Sequence, residues 1–124
     1  MDKVVHFEIP FDDGERASAF YRDAFGWQLN AMPQLQYVLV TTTPTDEQGT
    51  PAEVGGINGG MLHRQGPITS PIITIGVDDI DAALATVEKL GGKIALGRNP
   101  VGDMGFSAYV QDTEGNLIGL WQSA

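Results

Sequence analysis

Slid 66 residues along itself, this 124-residue chain meets its own pattern. HFEIPFDDGERASAF then lies over IITIGVDDIDAALAT, so that Ile9 meets Ile75 and the pair Asp12, Asp13 meets Asp78, Asp79. Ala17 and Ala19 meet Ala83 and Ala85, and Gly26 meets Gly92. A duplicated module constrains a fold more than any single motif, because one architecture must serve both copies.

Each copy reads as a strand, a helix and about three further strands. In VVHFEIPF the side chains alternate, placing Val5, Phe7 and Ile9 on one face and Val4, His6 and Glu8 on the other. Ala17, Phe20, Tyr21, Ala24 and Phe25 recur at helical spacing, and that stripe is expected to lie on the apolar face of the strand. Asp12 or Asp13 is the candidate N-cap, Glu15 follows Asp12 at capping-box spacing, and Gly26 is a natural stop. In the second copy PIITIGVDD is a strand, Ile80, Ala83, Leu84, Val87 and Leu90 form the helical stripe, and Gly91 and Gly92 close it. QYVLVTTT and INGGMLHR follow in the first copy, and KIALG, FSAYVQD and NLIGLWQ in the second. Residues 42–55 and 97–105 read as long Gly/Pro-rich loops. The expectation is one α+β domain over 1–124, with module one at about 1–66 and module two at about 67–124. Two tandem βαβββ modules would form a curved mixed sheet with the helices outside.

With no cysteine, the chain can hold no disulfide, thiolate metal site or cysteine nucleophile. Its 16 acidic and 7 basic residues give a net charge of −9, which argues against nucleic acid and would suit a cationic ligand. Apolar stretches are too short to span a membrane, and the start lacks a signal-peptide layout, so a cytoplasmic protein without membrane partners is expected. GGINGG resembles a phosphate loop but leads into the strand MLHR rather than a helix, so that reading fails. No G-x-S-x-G motif occurs to support a hydrolase.

The strand–DD–helix ending FY-x3-FGW, together with the later D-x-EGN-x-IGLWQ, resembles the vicinal oxygen chelate superfamily, which includes glyoxalase, bleomycin resistance and dioxygenase proteins. The resemblance implies the glyoxalase/bleomycin resistance-like fold over essentially the whole chain. Members with a metal draw four ligands from the first and last strand of each module. Those positions fall on His6, on Gly60 or its neighbour Gly59, on Ile72 and on Gly119. Only His6 can ligate through its side chain, so the resemblance implies neither a metal nor another cofactor here.

What the resemblance leaves is a concave face of a size for a small molecule. Parity places on it His6 and Glu8, then Asn58, Gly60 and Leu62, then Ile72 and Thr74, and last Leu117, Gly119 and Trp121. Tyr37 and Tyr109 join them on strands of looser register, and the two glycines are expected to leave room for a ligand at the backbone. The first functional reading is a metal-independent small-molecule-binding protein with its ligand in that cup. The alternative is a metal-independent lyase or isomerase with His6 as general base and Glu8 orienting it. A metal-dependent glyoxalase or dioxygenase is the least favoured reading. The resemblance further implies a homodimer, to which Tyr21, Phe25, Trp27 and Phe106 offer apolar surface.

Overall fold

A computed structural model describes residues 1–124. Its eight strands and two α-helices occur in the order βαβββ–βαβββ, as the duplication demands. The chain divides into two compact units, one of residues 6–71 and one of residues 1–5 together with 72–124.

The first unit is built from β1 (Lys3–Phe11, whose residues 3–5 count with the other unit), α1 (Gly14–Phe25), β2 (Gln28–Met32), β3 (Tyr37–Thr41) and β4 (Gly59–His63). The strand order is β2-β3-β4-β1, with β1 and β4 parallel and the other pairs antiparallel. Strand alternation sends Phe7, Ile9 and Phe11 to the side of α1, where Val38, Val40 and Met61 complete a core under Ala17 and Tyr21. Asp13, rather than Asp12, caps α1, accepting from the Arg16 amide at 3.1 Å. Glu15 therefore does not occupy the capping-box position, and Asp12 pairs instead with Arg64 at 3.2 Å. Gly26 ends the helix in the left-handed conformation at φ 74°. Two aromatic residues of the helical stripe depart from expectation, since Phe20 and Phe25 are 59% and 63% exposed. Trp27 stacks instead on Tyr21, centroids 4.9 Å apart and planes 7° off parallel.

β5 (Ile72–Gly76), α2 (Ile80–Lys89), β6 (Lys93–Val101), β7 (Gly105–Gln111) and β8 (Leu117–Ser123) make the second unit. Its order is β5-β8-β7-β6, with β5 and β8 parallel. Asp79, the residue 66 beyond Asp13, caps α2 by accepting from the Ala82 amide at 3.0 Å. A second orphan amide of that helix end, on Ile80, donates to Gln122 Oε1 at 2.8 Å. Ile80 and Leu84 are buried on Ala108, Val110 and Leu120 as the stripe predicts. Leu90 is not: the helix stops at Lys89, and Leu90 is 71% exposed. The loop expected over 97–105 is mostly strand, because β6 continues to Val101 through two register shifts. Pro100 fits there because β6 pairs with β7 alone. No helix is long and apolar enough to cross a membrane.

Candidate functional site

Parallel pairing sets Glu8 opposite Gly60, and antiparallel pairing sets Gly60 opposite Leu39. Residues two apart share a face, so His6 and Glu8 on β1, Gly60 and Leu62 on β4 and Tyr37 on β3 all belong to the side turned away from α1. Tyr37 enters this face from the 3-10 turn Pro33–Leu35, which closes with Gln36 in the left-handed conformation at φ 51°.

The Tyr37 hydroxyl is the centre of the arrangement. It donates to Glu8 Oε2 at 2.5 Å and lies 2.8 Å from His6 Nε2. Glu8 is buried, with 7% of its surface exposed, and a carboxylate so placed needs a close donor. Tyr37 stands between His6 and Glu8, its hydroxyl oxygen within hydrogen-bond distance of both. Burial pushes the His6 pKa below its ordinary 6.5, while the neighbouring Glu8 charge works against that shift. The imidazole is therefore neutral at neutral pH.

Gly60 makes room for this hydroxyl. A Cβ at position 60 would come within 1.9 Å of the Tyr37 oxygen, and at position 59 within 2.5 Å of the Phe7 carbonyl oxygen. At Gly119 a Cβ would meet Thr74 Oγ1 at 2.7 Å. The room expected at the glycines is thus filled by the protein's own Tyr37 and Thr74. The donor set does not fit a resident divalent metal. His6 Nε2 and Glu8 Oε2 both face the tyrosine hydroxyl, and neither unit gathers three His, Asp or Glu side chains in one place.

The other expected site residues take distinct places. Asn58 is engaged by its own loop: Oδ1 accepts from the Thr42 and Thr43 amides at 2.8 and 3.0 Å, and Nδ2 donates to the Thr43 carbonyl at 3.3 Å. Leu62 is buried at 7% exposure. In the second unit Thr74 pairs with Gly119, Gly119 with Tyr109, and Gln111 with Leu117. Trp121 pairs with Gly76 and Ser107, so these strands share one face, with Ile72 two residues before Thr74. Ile72 and Thr74 are buried, Tyr109, Leu117 and Trp121 half-buried, and the Trp121 indole donates to Ser123 Oγ at 3.1 Å. His63, the only other histidine, is exposed at the end of β4 with its ring 4.7 Å from that of Phe11. An open cavity of about 480 Å³ lies beside it, lined by Phe11, Ala31, Pro33, Gln36, Tyr37, Val38 and His63.

Known proteins resemble the chain at several levels. A family model described as bleomycin resistance protein-like N-terminal matches residues 3–43. A glyoxylase-like domain-containing protein of Didymella fabae is 34% identical over 123 residues, covering 92% of this chain and 88% of its own length. A Mycobacterium tuberculosis protein whose name carries the word glyoxylase is 29% identical over 116 residues. That match takes in 94% of this chain but 44% of the mycobacterial protein, so the chain spans less than half of that relative. Methylmalonyl-CoA epimerase, solved with methylmalonyl-CoA and NH4+, shares the fold at a TM-score of 0.69 and 17% identity, over 100% of this chain and 96% of that one. By its two βαβββ modules and its relatives, the chain belongs to the glyoxalase/bleomycin resistance group of the vicinal oxygen chelate superfamily.

Proposed function

We propose that this chain is a metal-independent small-molecule-binding protein whose ligand engages the face carrying His6, Tyr37 and Glu8. One observation carries the reading: the Tyr37 hydroxyl stands where a side chain at position 60 would begin, and it faces both His6 and Glu8. A tyrosine thereby takes the place at which metal-dependent members of this superfamily would supply a ligand. The net charge of −9 supports a cationic or amine-bearing ligand. A homodimer belongs to the same proposal, supported by the exposed rings of Phe20 and Phe25 on α1.

Elemental mass spectrometry of the purified protein, repeated after incubation with nickel, zinc, manganese and iron and desalting, tests the metal. The expected result is no retained ion; a near-stoichiometric metal lost in His6→Ala refutes the reading. A thermal-shift screen that begins with cationic amphiphilic compounds then seeks the ligand.

A second reading is favoured by the neutral, half-buried imidazole. In it the chain is a metal-independent lyase or isomerase with His6 as general base. His6→Ala separates the two readings. Binding would weaken about tenfold, by one lost polar contact, whereas turnover would fall by about a hundredfold or more.

A further inference from the structure

We infer that Tyr37 is the positioning residue of this site. It accepts the Nε2 proton of His6 while giving its own to Glu8, and so leaves His6 Nδ1 as the acceptor offered to a ligand. The inference rests on the proposed use of this face and adds which atom does the work and what chemistry it meets. The Tyr37 hydroxyl has a single proton, and it donates that proton to Glu8 Oε2, 2.5 Å away. What the oxygen has left for His6 Nε2, at 2.8 Å, is a lone pair. Nε2 must then carry hydrogen. A neutral imidazole has one N–H, so Nδ1 is the unprotonated nitrogen.

The tyrosine cannot be held here by chance of rotamer alone. Only glycine at position 60 leaves space for its hydroxyl, ring carbon Cζ and Cε1, which a Cβ would approach to 1.9, 2.0 and 2.1 Å. Glycine, tyrosine, histidine and glutamate thus form one unit drawn from β1, β3 and β4.

The chemistry of the ligand follows from the tautomer. An Nδ1 lone pair accepts from N–H or O–H, or takes a proton from an acidic C–H. A carboxylate or other pure acceptor finds no donor on that nitrogen. In the catalytic variant of the reading, the substrate's C–H bond breaks, its electron pair stays on the substrate, and the proton goes to Nδ1. The imidazolium that forms keeps its Nε2–H on Tyr37, with the Glu8 carboxylate behind it. The ligand class is therefore a hydrogen-bond donor: an amine, an amide, an alcohol, or a carbon acid.

Long-range proton–nitrogen NMR of the ¹⁵N-labelled protein, above the ordinary histidine pH range, reads the tautomer directly. A His63→Gln variant assigns the two histidines. The expected wild-type result is a single neutral His6 tautomer with hydrogen on Nε2. In Tyr37→Phe that preference is lost to a mixture, with backbone amides far from the site unchanged. Hydrogen on Nδ1 in the wild type overturns the inference, and so does an unaltered tautomer in Tyr37→Phe. The wild-type spectrum decides alone if the variant fails to fold. A protein that retains stoichiometric metal refutes the binding proposal itself; a metal-free protein with the wrong tautomer refutes only the role of Tyr37.

Discussion

Replacing Gly60 by alanine adds one methyl group to a buried strand and is expected to dismantle the site. The methyl would lie 1.9 Å from the Tyr37 oxygen and 2.0 Å from Cζ, far inside contact distance, so the phenol must swing away. Two hydrogen bonds go with it. That to the Glu8 carboxylate is worth about 1.5–3 kcal/mol and that to the neutral imidazole about 0.5–1.5. Allowing for partial relaxation, the expected loss is about 2–4 kcal/mol, a large share of a small domain's stability. Equilibrium urea unfolding followed by tryptophan fluorescence measures it, Gly60→Ala against wild type. The same change in a Tyr37→Ala background meets no ring, so it should be neutral or gain up to about 1 kcal/mol from a stiffer unfolded chain. A coupling energy of about 2 kcal/mol or more between the two positions is thus predicted. If alanine at 60 costs the same in both backgrounds, Tyr37 does not occupy that space and the account of the site fails.

Because burial lowers the His6 pKa in the fold, a falling pH protonates the unfolded chain first. The His6 contribution is full above its ordinary 6.5 and is lost as pH drops through the folded value. The urea midpoint of wild type should therefore decline with acid over that window more steeply than that of His6→Gln, and equal slopes count against the burial argument. Asn58→Ala removes the acceptor for the Thr42 and Thr43 amides, and about 1–3 kcal/mol of stability should go with it. Limited proteolysis should then cut within residues 42–58 sooner than in wild type; an unchanged cleavage rate would contradict the pin. Asp13→Ala should cost about 1 kcal/mol through the lost cap, and Asp12→Ala, which breaks only an exposed ion pair, about 0–0.5. Thermal melts that rank them the other way round would assign the cap to Asp12.

What was legible in the sequence, and what was not, divides along the edges of the strand order. Central strands announced themselves by alternation, and both helix starts by aspartates 66 residues apart, Asp13 and Asp79. The missed strand was β2, and the strand cut short in the reading was β6. Each pairs on one side only. An edge strand needs no apolar residues on both faces and tolerates proline and glycine, as β6 does with Gly97 and Pro100. In β2, QLNAM puts Leu29 and Ala31 on one face and Gln28, Asn30 and Met32 on the other, so neither face carries a clear periodic signal. The exposed Phe20 and Phe25 show the converse limit. Helical spacing reports a direction around the axis, and the width of the sheet beneath decides how much of that arc is covered.

At the site, strand parity correctly put His6, Glu8, Gly60 and Leu62 on one face, since that needs only alternation and the β1–β4 pairing. The identity of the group between His6 and Glu8 needed more. Tyr37 lies 23 residues before Gly60, across a long loop, and its height on β3 depends on where the 3-10 turn at Pro33–Leu35 releases the chain. No local pattern encodes that register; it is settled by which side chains can fit together. A glycine at 60 read as vacant space because a missing side chain says nothing of who fills the gap. A buried carboxylate, however, must find a donor, and a glycine inside a strand must have a steric cause. Taken together, those two requirements ask for a large donor side chain from a neighbouring strand. Tyrosine at the start of β3 is the residue that meets both.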